Sequence, residues 1–218
     1  NVSTIDDAAI DSASLETLRL RVGGVSATGN ILDNDQASAN AYDGTGGANT
    51  LTGDSNVNVM FGKGGNDTIV GNAGNDYIVG GAGNDYIVGG AGDDTITSGL
   101  GADTLKWTLG DQGTTVTPAK DVVTDFTNAA GGDVLDLRDL LQGENHTSGV
   151  GNLTNYLHFE KVNGNTIVHI SHTGYTGGVF NSAQDTQTIT LNGVDLTLAG
   201  NDQAIILDLL NKKILVVD

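Results

Sequence analysis

Residues 44–106 read GTGGANTLT-GDSNVNVMF-GKGGNDTIV-GNAGNDYIV-GGAGNDYIV-GGAGDDTIT-SGLGADTLK, seven consecutive units of nine residues. Each unit has an acid or amide at its sixth position and an apolar residue at its eighth. The sixth positions are Asn49, Asn58, Asp67, Asp76, Asp85, Asp94 and Asp103, and the eighth are Leu51, Met60, Ile69, Ile78, Ile87, Ile96 and Leu105. A fixed short period of glycine, acid and one apolar residue is typical of a parallel β-roll that binds calcium.

Each unit divides into a turn of six residues and a strand of three. Glycines at the first, second and fourth positions permit positive φ and close backbone approach in the turn. In a strand, the middle side chain and its two neighbours point to opposite faces. Only the middle residue is apolar in every unit, so we predict that it faces the core. Tyr77, Tyr86, Thr68 and Thr95 are then expected on the outside.

The period also predicts where the acidic residues meet. Two units form one coil with a strand on each side, so turns on the same side recur every 18 residues. Stacking then places Asp67 beside Asp85, Asp76 beside Asp94, and Asp85 beside Asp103. Carboxylates at strand spacing repel one another unless a cation lies between them. Ca²⁺ is a hard dication that takes about 6–8 oxygen ligands at ~2.3–2.6 Å, which suits this gap.

Side-chain oxygens and the carbonyls of alternate turn residues are the predicted calcium ligands. The carboxylate ligands are Asp67, Asp76, Asp85, Asp94 and Asp103, the amide ligands are Asn49 and Asn58, and the carbonyl ligands are Gly71, Ala73, Asn75, Gly80, Ala82, Asn84, Gly89, Ala91 and Asp93. We expect three strong sites. Up to two weaker ones would involve the neutral amides of Asn49 and Asn58, unless these turns serve as a cap.

A disordered Gly-Asp-rich linker is the alternative interpretation of these units, since glycine and charge favour disorder. It does not explain an apolar residue every ninth position in phase with aspartate. We expect disorder only where calcium is absent.

The composition points to cations as partners. The chain has 218 residues and a net charge of −18, and only three of its 27 acidic residues are glutamate. Phosphate would be repelled, so nucleic acid is not expected as a partner. Cysteine is absent, which excludes disulfides and thiolate metal sites. No apolar run is long enough to cross a membrane, and no signal-peptide pattern begins the chain. The chain starts at Asn1 without Met, so we expect a monomeric fragment of a longer protein.

We predict an all-β fold: a right-handed parallel β-roll capped by a C-terminal β-rich domain with a short helix. Residues 1–43 are expected to be the tail of an upstream module or N-terminal cap strands, because Leu18, Leu20 and Val22 alternate with arginines. Residues 44–106 form the roll and residues 107–218 the C-terminal capping and secretion-signal domain. Strands are expected at 156–162, 165–171, 186–191, 194–198 and 214–217, with a helix capped by Asn201 or Asp202.

The repeats resemble the RTX, or haemolysin-type, calcium-binding family, because residues 71–97 follow the GGxGxDxUx pattern almost throughout. The C-terminal part is similar to the type I secretion target domain of large bacterial RTX adhesins. That likeness is carried by DVVTDF (121–126), GDVLDLRDLL (132–141), TITLNGVDL (188–196) and ILVVD (214–218). The resemblance implies a secreted protein, extracellular or on the surface of a Gram-negative bacterium, with the type I secretion apparatus as partner. It also implies an accessory calcium site at Asp125 and Asp136, whose other interpretation is as turn and cap acids.

Two other function classes compete with a calcium-binding region of a secreted adhesin. We expect no enzyme, because HExxH, GxSxG and P-loop motifs are absent. His169 and His172 lie three apart in a predicted strand, so they face opposite sides and make a poor metal pair. The alternative is a calcium-dependent carbohydrate-binding accessory module of a secreted polysaccharide-acting or other RTX enzyme. Tyr77, Tyr86 and Tyr175 would then stack on sugars, although Tyr77 and Tyr86 are predicted on opposite sheets.

Overall fold

The computed structural model describes residues 15–22, 25–32, 39–145 and 149–217. The chain divides into two compact units, Asn1–Ala39 and Asn40–Asp218. In the first unit, β1 (Leu15–Val22) and β2 (Val25–Leu32) form an antiparallel pair in which Val22 lies opposite Val25. The predicted strand through Leu18 and Val22 is confirmed. Gly23 and Gly24, a glycine pair typical of a turn, lie outside the described residues.

The second unit is built on two sheets that receive successive strands of the repeats in alternation. The strands are β3 (Ala39–Asp43), β4 (Thr50–Thr52), β5 (Val57–Gly64), β6 (Thr68–Ala73), β7 (Tyr77–Ala82), β8 (Tyr86–Ala91), β9 (Thr95–Leu100), β10 (Thr104–Lys106), β11 (Ala119–Val123), β12 (Val134–Asp136), β13 (Leu157–Val162), β14 (Asn165–Ile170), β15 (Gln187–Leu191) and β16 (Leu215–Val216). One sheet has the order β16-β12-β10-β8-β6-β4, and the other β13-β14-β15-β11-β9-β7-β5-β3.

The register within the repeats follows the period of the sequence. Ile69 lies opposite Ile87 in one sheet and Ile78 opposite Ile96 in the other, with parallel strands and an offset of 18 residues. Ile69, Ile78 and Ile87 are fully buried, whereas Tyr77 is 43 % and Tyr86 37 % exposed. The coil of two units and the inward apolar residue are therefore confirmed. The all-β parallel roll with a short helix is the observed fold.

Both sheets continue beyond the last repeat. In one, β11 pairs in parallel with β9, so that Val122 lies opposite Thr95. In the other, β12 pairs in parallel with β10, so that Thr104 lies opposite Val134. The eight-stranded sheet then turns antiparallel at β14 and β13. The predicted domain boundary at residue 106 thus falls within two continuous sheets, and one apolar core runs from the repeats into the C-terminal part.

Helix α1 (Asp202–Lys212) closes the C-terminal part as predicted. The Asn201 side chain accepts a hydrogen bond from the Ala204 N–H at 3.0 Å, which caps the first turn. Ile205, Ile206 and Leu209 are buried on one face of the helix. Within the described residues, no helix is long and apolar enough to cross a membrane.

The strand predicted at 194–198 is wrong, because Leu196–Ala199 forms a 3₁₀ turn. The Asp195 carboxylate accepts the Thr197 N–H at 3.1 Å, and this local bond competes with an extended conformation. Leu198, the last residue of the predicted strand, is 84 % exposed.

Candidate metal centre

The sixth positions of the repeats stack along the two edges of the roll. One stack is Asn49–Asp67–Asp85–Asp103 and the other is Asn58–Asp76–Asp94; we name them the inner ladders. In each step, one aspartate oxygen accepts the backbone N–H of the residue 18 positions earlier. The Asp67 N–H donates to Asp85 Oδ1 at 2.8 Å, and the Asp85 N–H donates to Asp103 Oδ1 at 2.8 Å. The Asp76 N–H donates to Asp94 Oδ1 at the same distance, 2.8 Å. The structure therefore brings the predicted pairs of aspartates together.

The second oxygen of each ladder aspartate is buried and has no hydrogen-bond partner. These atoms are Oδ2 of Asp67, Asp76, Asp85, Asp94 and Asp103. The five side chains are at most 2 % exposed. A buried acceptor without a partner costs about 1–3 kcal/mol, and a charged one more. Such a row of carboxylate oxygens requires positive charge.

Backbone carbonyls converge on the same places. A Cβ added to Gly62 would lie within 3.0 Å of both Asp67 Oδ2 and the Gly80 carbonyl oxygen. The same holds for Gly71, which faces Asp76 Oδ2 and the Gly89 carbonyl oxygen. Glycine is therefore required, since any side chain would fill the space in which the oxygens meet.

The donor set fits Ca²⁺. Beside Gly62 and Gly71, carboxylate and carbonyl oxygens converge. These are the ligands that Ca²⁺ takes in proteins. Across the described part of the chain, no three His, Cys, Asp or Glu side chains form a metal cluster. An ion at the ladders would therefore need backbone carbonyls to complete its shell.

The other predicted carbonyl ligands lie along the same turns. Ala73, Ala82 and Ala91 end strands β6, β7 and β8, and the Ala91 carbonyl already accepts the Gly74 N–H at 2.9 Å. The remaining three, Asn75, Asn84 and Asp93, are exposed at the turns. The calcium-ligand role of each of these residues stays a prediction.

Asn49 and Asn58 are paired within their own turns. Asn49 Oδ1 accepts the Thr45 N–H at 2.6 Å, and Asn58 Oδ1 accepts the Asp54 N–H at 2.8 Å. Neither amide oxygen is left without a partner, which is what the cap interpretation expects. Their role as calcium ligands stays a prediction.

Two aspartates beyond the repeats continue the inner ladders. Asp121 Oδ1 accepts the Asp94 N–H at 2.8 Å, and its Oδ2 is paired with Trp107 Nε1 at 2.6 Å and Gln187 Nε2 at 2.8 Å. Asp133 Oδ1 accepts the Asp103 N–H at 3.1 Å, and its Oδ2 accepts the Thr127 N–H at 2.7 Å. Both ladders thus end in a carboxylate that protein donors satisfy.

The sequence reasoning missed both of these end residues. A signal was present, because DVV at 121–123 and DVL at 133–135 repeat the order of acid, outward residue and inward apolar residue found in each unit. The loops between the strands hide it by breaking the period of nine.

Asp125 and Asp136 also have both oxygens paired. The Asp125 carboxylate accepts the N–H groups of Ser98 at 2.9 Å and Gly99 at 2.8 Å. The Asp136 carboxylate accepts Arg138 Nε at 3.0 Å and Nη2 at 2.7 Å. The accessory calcium site at these residues stays a prediction.

Burial shifts the acid–base behaviour of the ladders. Burial raises the pKa of Asp76, Asp85 and Asp103 above the ordinary value. Burial and the neighbouring Asp121 carboxylate raise the pKa of Asp94 to about 8. At the ladder ends, burial raises the pKa of Asp121 to about 7 and of Asp133 to about 6. In the absence of a cation, Asp94 therefore holds its proton at about neutral pH.

Acid is expected to stabilise the metal-free fold. The folded-state pKa values lie above the unfolded value of 3.8, so the protonated acids contribute stability that is complete below that pH. This stability is lost as the pH rises through about 6 to 8. In metal-free buffer, we expect more β structure by circular dichroism at about pH 5 than at about pH 8, where the repeats should be unfolded. With calcium present the order should reverse, because protons compete with the ion. An equal content of β structure at both pH values without metal would contradict this account.

A methyl group at Gly80 is expected to block the calcium space. The Cβ of a Gly80→Ala variant would lie within 3.0 Å of the Ser98 carbonyl oxygen and Asp85 Oδ2, and the backbone oxygen cannot move aside. We expect the calcium concentration at the folding midpoint, followed by circular dichroism, to rise about tenfold or more, a loss of ~1.4 kcal/mol. Gly46→Ala is the matched control, since its Cβ would meet no atom within 4 Å. Equal shifts in the two variants would refute the prediction.

The repeats match a known protein family in sequence. Residues 37–69 and 70–105 match the RTX calcium-binding nonapeptide repeat (4 copies) family. No curated protein matches the chain in sequence. Among solved structures, the AlgE6R3 subunit of the mannuronan C5-epimerase of Azotobacter vinelandii shares 20 % identity, covering 84 % of this chain and 85 % of that one, with a TM-score of 0.30. The AlgE6R2 subunit shares 19 % identity over 82 % and 89 % of the two chains, with a TM-score of 0.40. The nine-residue units of this chain are therefore RTX calcium-binding repeats, and Ca²⁺ is the ion that they bind.

Proposed function

We propose that this chain is the C-terminal calcium-binding and secretion region of a secreted bacterial RTX adhesin, which folds on calcium after export through a type I secretion apparatus. The observation that carries the proposal is the set of five buried aspartate oxygens without a partner. A fold that needs cations at its centre responds to the calcium concentration around it. The secretion role is supported by the C-terminal motifs at 121–126, 132–141 and 188–196.

The energies are large enough for calcium to control folding. Free calcium inside a cell lies far below the dissociation constants of extracellular modules, ~10⁻⁴–10⁻³ M. Without the ion, the ladder carboxylates repel one another and the glycine-rich turns lose much entropy on ordering. Outside, calcium at ~100 times its dissociation constant contributes ~2.7 kcal/mol per independent site. Three to five such sites are comparable to the whole stability of a typical domain, ~5–15 kcal/mol, so binding and folding become one event.

The C-terminal part is proposed to start the stacking of the repeats. Donors within the C-terminal part satisfy Oδ2 of Asp121 and of Asp133. Oδ1 of each is thereby oriented to accept the last turn of its ladder, so this part offers an end for both ladders. It would also leave a type I channel first, since the secretion motifs lie at the C-terminal end. Export of the full chain, with and without residues 214–218, by cells that carry a type I apparatus tests the secretion role. Undiminished export of the shortened chain would argue against it.

Calcium titration of the full chain is the main test of calcium-dependent folding. Circular dichroism should show a cooperative gain of β structure with Ca²⁺. Fluorescence of Trp107, the single tryptophan, which is 2 % exposed and bound to Asp121, should report on the ladder end. Mg²⁺ should fail, because it prefers a tight octahedral shell at ~2.0–2.1 Å and retains its waters. Folding without calcium at about pH 8, or an equal response to both ions, would reject the proposal.

A calcium-dependent carbohydrate-binding module is the second candidate. The exposed Tyr77 ring lies beside Phe61, with ring centroids 6.3 Å apart, and Tyr86 is exposed on the other sheet. The prediction that Tyr175 is available to stack on a sugar is wrong. Its side chain is 4 % exposed, and its hydroxyl donates a hydrogen bond to Asp185. Glycan-array binding in calcium that is lost in Tyr77→Ala but kept in Tyr86→Ala would favour this candidate over the adhesin region.

We also propose that the chain is not catalytic. His169 is buried and lies between Asp185 Oδ2 at 2.7 Å and Glu160 Oε2 at 3.2 Å. His172 Nδ1 lies 3.0 Å from Thr186 Oγ1. The His169 contacts tie β14 to Glu160 of β13 and to Asp185, whereas His172 lies beyond the end of β14. Assays of the full chain for polysaccharide lyase, esterase and protease activity test this expectation, and turnover with any of these substrates would contradict it.

A further inference from the structure

A second row of hydrogen bonds lies outside the inner ladders, at the fifth position of the repeats. The side chain of one turn accepts a backbone N–H from the next turn on the same edge. Asn66 Oδ1 accepts from Asn84 at 2.9 Å, Asn75 Oδ1 from Asp93 at 3.0 Å, Asn84 Oδ1 from Ala102 at 3.0 Å, and Asp93 Oδ1 from Lys120 at 2.8 Å. The four accepting side chains are exposed, so these bonds stand apart from the buried oxygens.

The outer bonds run in the opposite direction to the inner ones. Between two successive turns, the Asp67 N–H donates forward to Asp85 Oδ1, and the Asn84 N–H donates back to Asn66 Oδ1. We name this pair of bonds a reciprocal clasp. Complete clasps join 66–67 to 84–85, 75–76 to 93–94, 84–85 to 102–103, and 93–94 to 120–121.

Three steps of the roll have only the inner half of the clasp. Ala48, Val57 and Ala102 occupy the fifth position there, and their side chains have no acceptor. The inner bonds remain, from the Asn49 N–H to Asp67 at 2.7 Å, the Asn58 N–H to Asp76 at 2.8 Å and the Asp103 N–H to Asp133 at 3.1 Å. The first two of these steps lie at the N-terminal end of the repeats.

We propose that Asn66, Asn75, Asn84 and Asp93 are positioning residues for calcium, and that their absence at positions 48 and 57 makes the N-terminal turns the last to bind it. The inner bond uses one carboxylate oxygen and leaves the other for the ion. The outer bond fixes the backbone of the facing turn, whose carbonyls are to meet the same ion. Because the backbone of the facing turn is already held in place, binding of the ion costs less conformational entropy. The affinity of the turn for calcium is therefore higher.

The outer bonds also suit their place chemically. Three of the four acceptors are neutral amides, so they add no charge to the already acidic edges. They join protein groups alone, so each one forms as soon as two turns stack. The inference rests on the proposed binding of calcium at the inner ladders. It further predicts the order in which the turns bind calcium. One net hydrogen bond corresponds to about a two- to tenfold change in an equilibrium constant.

Isosteric replacements in the full chain separate the outer bond from other effects. Asn84→Leu keeps the shape and removes the acceptor, whereas Asn84→Asp keeps the acceptor, as Asp93 does naturally. We expect Asn84→Leu to raise the calcium concentration at the folding midpoint about two- to tenfold. Amide hydrogen exchange at Ala102 in saturating calcium should become faster. Asn84→Asp should restore both to the wild-type value or better.

The converse variant adds a missing clasp. Ala48→Asn should let the Asn66 N–H find an acceptor, slow its hydrogen exchange, and lower the calcium needed to order the first repeats about two- to tenfold. Ala48→Leu is its matched control and should do neither. This pair keeps the test decisive even if Asn84→Leu does not fold.

Three outcomes would overturn the inference. Asn84→Leu and Asn84→Asp could shift the midpoint equally, or Asn84→Leu could lower thermal stability in saturating calcium without moving the calcium midpoint. Ala48→Asn could also behave like Ala48→Leu. If the wild-type chain itself shows no calcium-dependent transition, calcium-controlled folding fails together with this inference. If it does show one while the variants do not differ, only the positioning role fails.

Discussion

An Asp85→Ala variant is expected to lose most of its response to calcium. Asp85 lies in the middle of an inner ladder, where its Oδ1 holds the Asp67 N–H and its Oδ2 is buried without a partner. It belongs to two of the predicted sites, one shared with Asp67 and one with Asp103. Removing one partner of a buried charge pair typically costs on the order of 3–5 kcal/mol, which is a rise of roughly 100-fold or more in the calcium needed.

Two further variants sharpen this test. Asp85→Asn keeps an oxygen that can accept the Asp67 N–H but removes the negative charge, so we expect a smaller loss. Asp208→Ala makes the same charge change on helix α1, where the side chain is 40 % exposed and paired with Lys212. It should leave the calcium midpoint, measured by circular dichroism and isothermal titration calorimetry, unchanged. Equal midpoints for Asp85→Ala and Asp208→Ala would remove the basis for the inner ladders as calcium ligands.

Removal of calcium is expected to unfold the repeats as a unit. At about pH 8, where Asp94 also begins to lose its proton, the buried carboxylates would keep their charge only by letting water in, because an isolated buried charge is very costly. The hydrophobic core of the roll is thin, since each strand contributes one inward apolar residue such as Ile69, Ile78 or Ile87. It therefore contributes little stability of its own. We expect the exchange protection of these residues to fall to that of an unfolded chain when a chelator is added.

The same experiment should separate the repeats from the C-terminal part. Asp121 and Asp133 are paired with protein donors, and a conventional core surrounds Leu153 and Leu191. Hydrogen exchange in chelator should therefore rise first within residues 44–106, with protection around Leu153 lost later or in part. Magnesium in place of calcium should not restore the repeats. A chelated chain that retains full protection at Ile69, Ile78 and Ile87 would show that the roll stands without ions.

Much of the roll could be predicted because its information is local and repeated. The alternation of Asp85, Tyr86 and Ile87 assigns each residue to a turn, the outer face or the core. Parallel stacking at a step of 18 residues then determines which aspartates meet, and the structure has that register. The helix after Asn201 was equally predictable, since its cap and apolar face lie within a dozen residues of one another.

The departures occur where a residue depends on distant parts of the chain. Tyr175 is buried by Asp185 and the ring of Phe180, a neighbourhood that strand propensity does not describe. Asp121 escaped notice because it meets Asp94 across 27 residues, after a loop has broken the period. The outer hydrogen bonds were not predicted either. The sequence shows Asn84 only as a turn residue, and its bond to Asn66 exists only once the two turns are stacked.

The sequence by itself determined the roll, its register, its inward residues and the choice of Ca²⁺, because each of these follows from one short pattern repeated in phase. Only the tertiary structure decided which carboxylates remain free for the ion. Asp85 and Asp121 have the same residue type and the same stacking bond. They differ because Trp107 and Gln187, the latter 66 residues away, supply donors to Asp121 and nothing does so for Asp85. Such donors are brought together by folding, and no spacing along the chain records them.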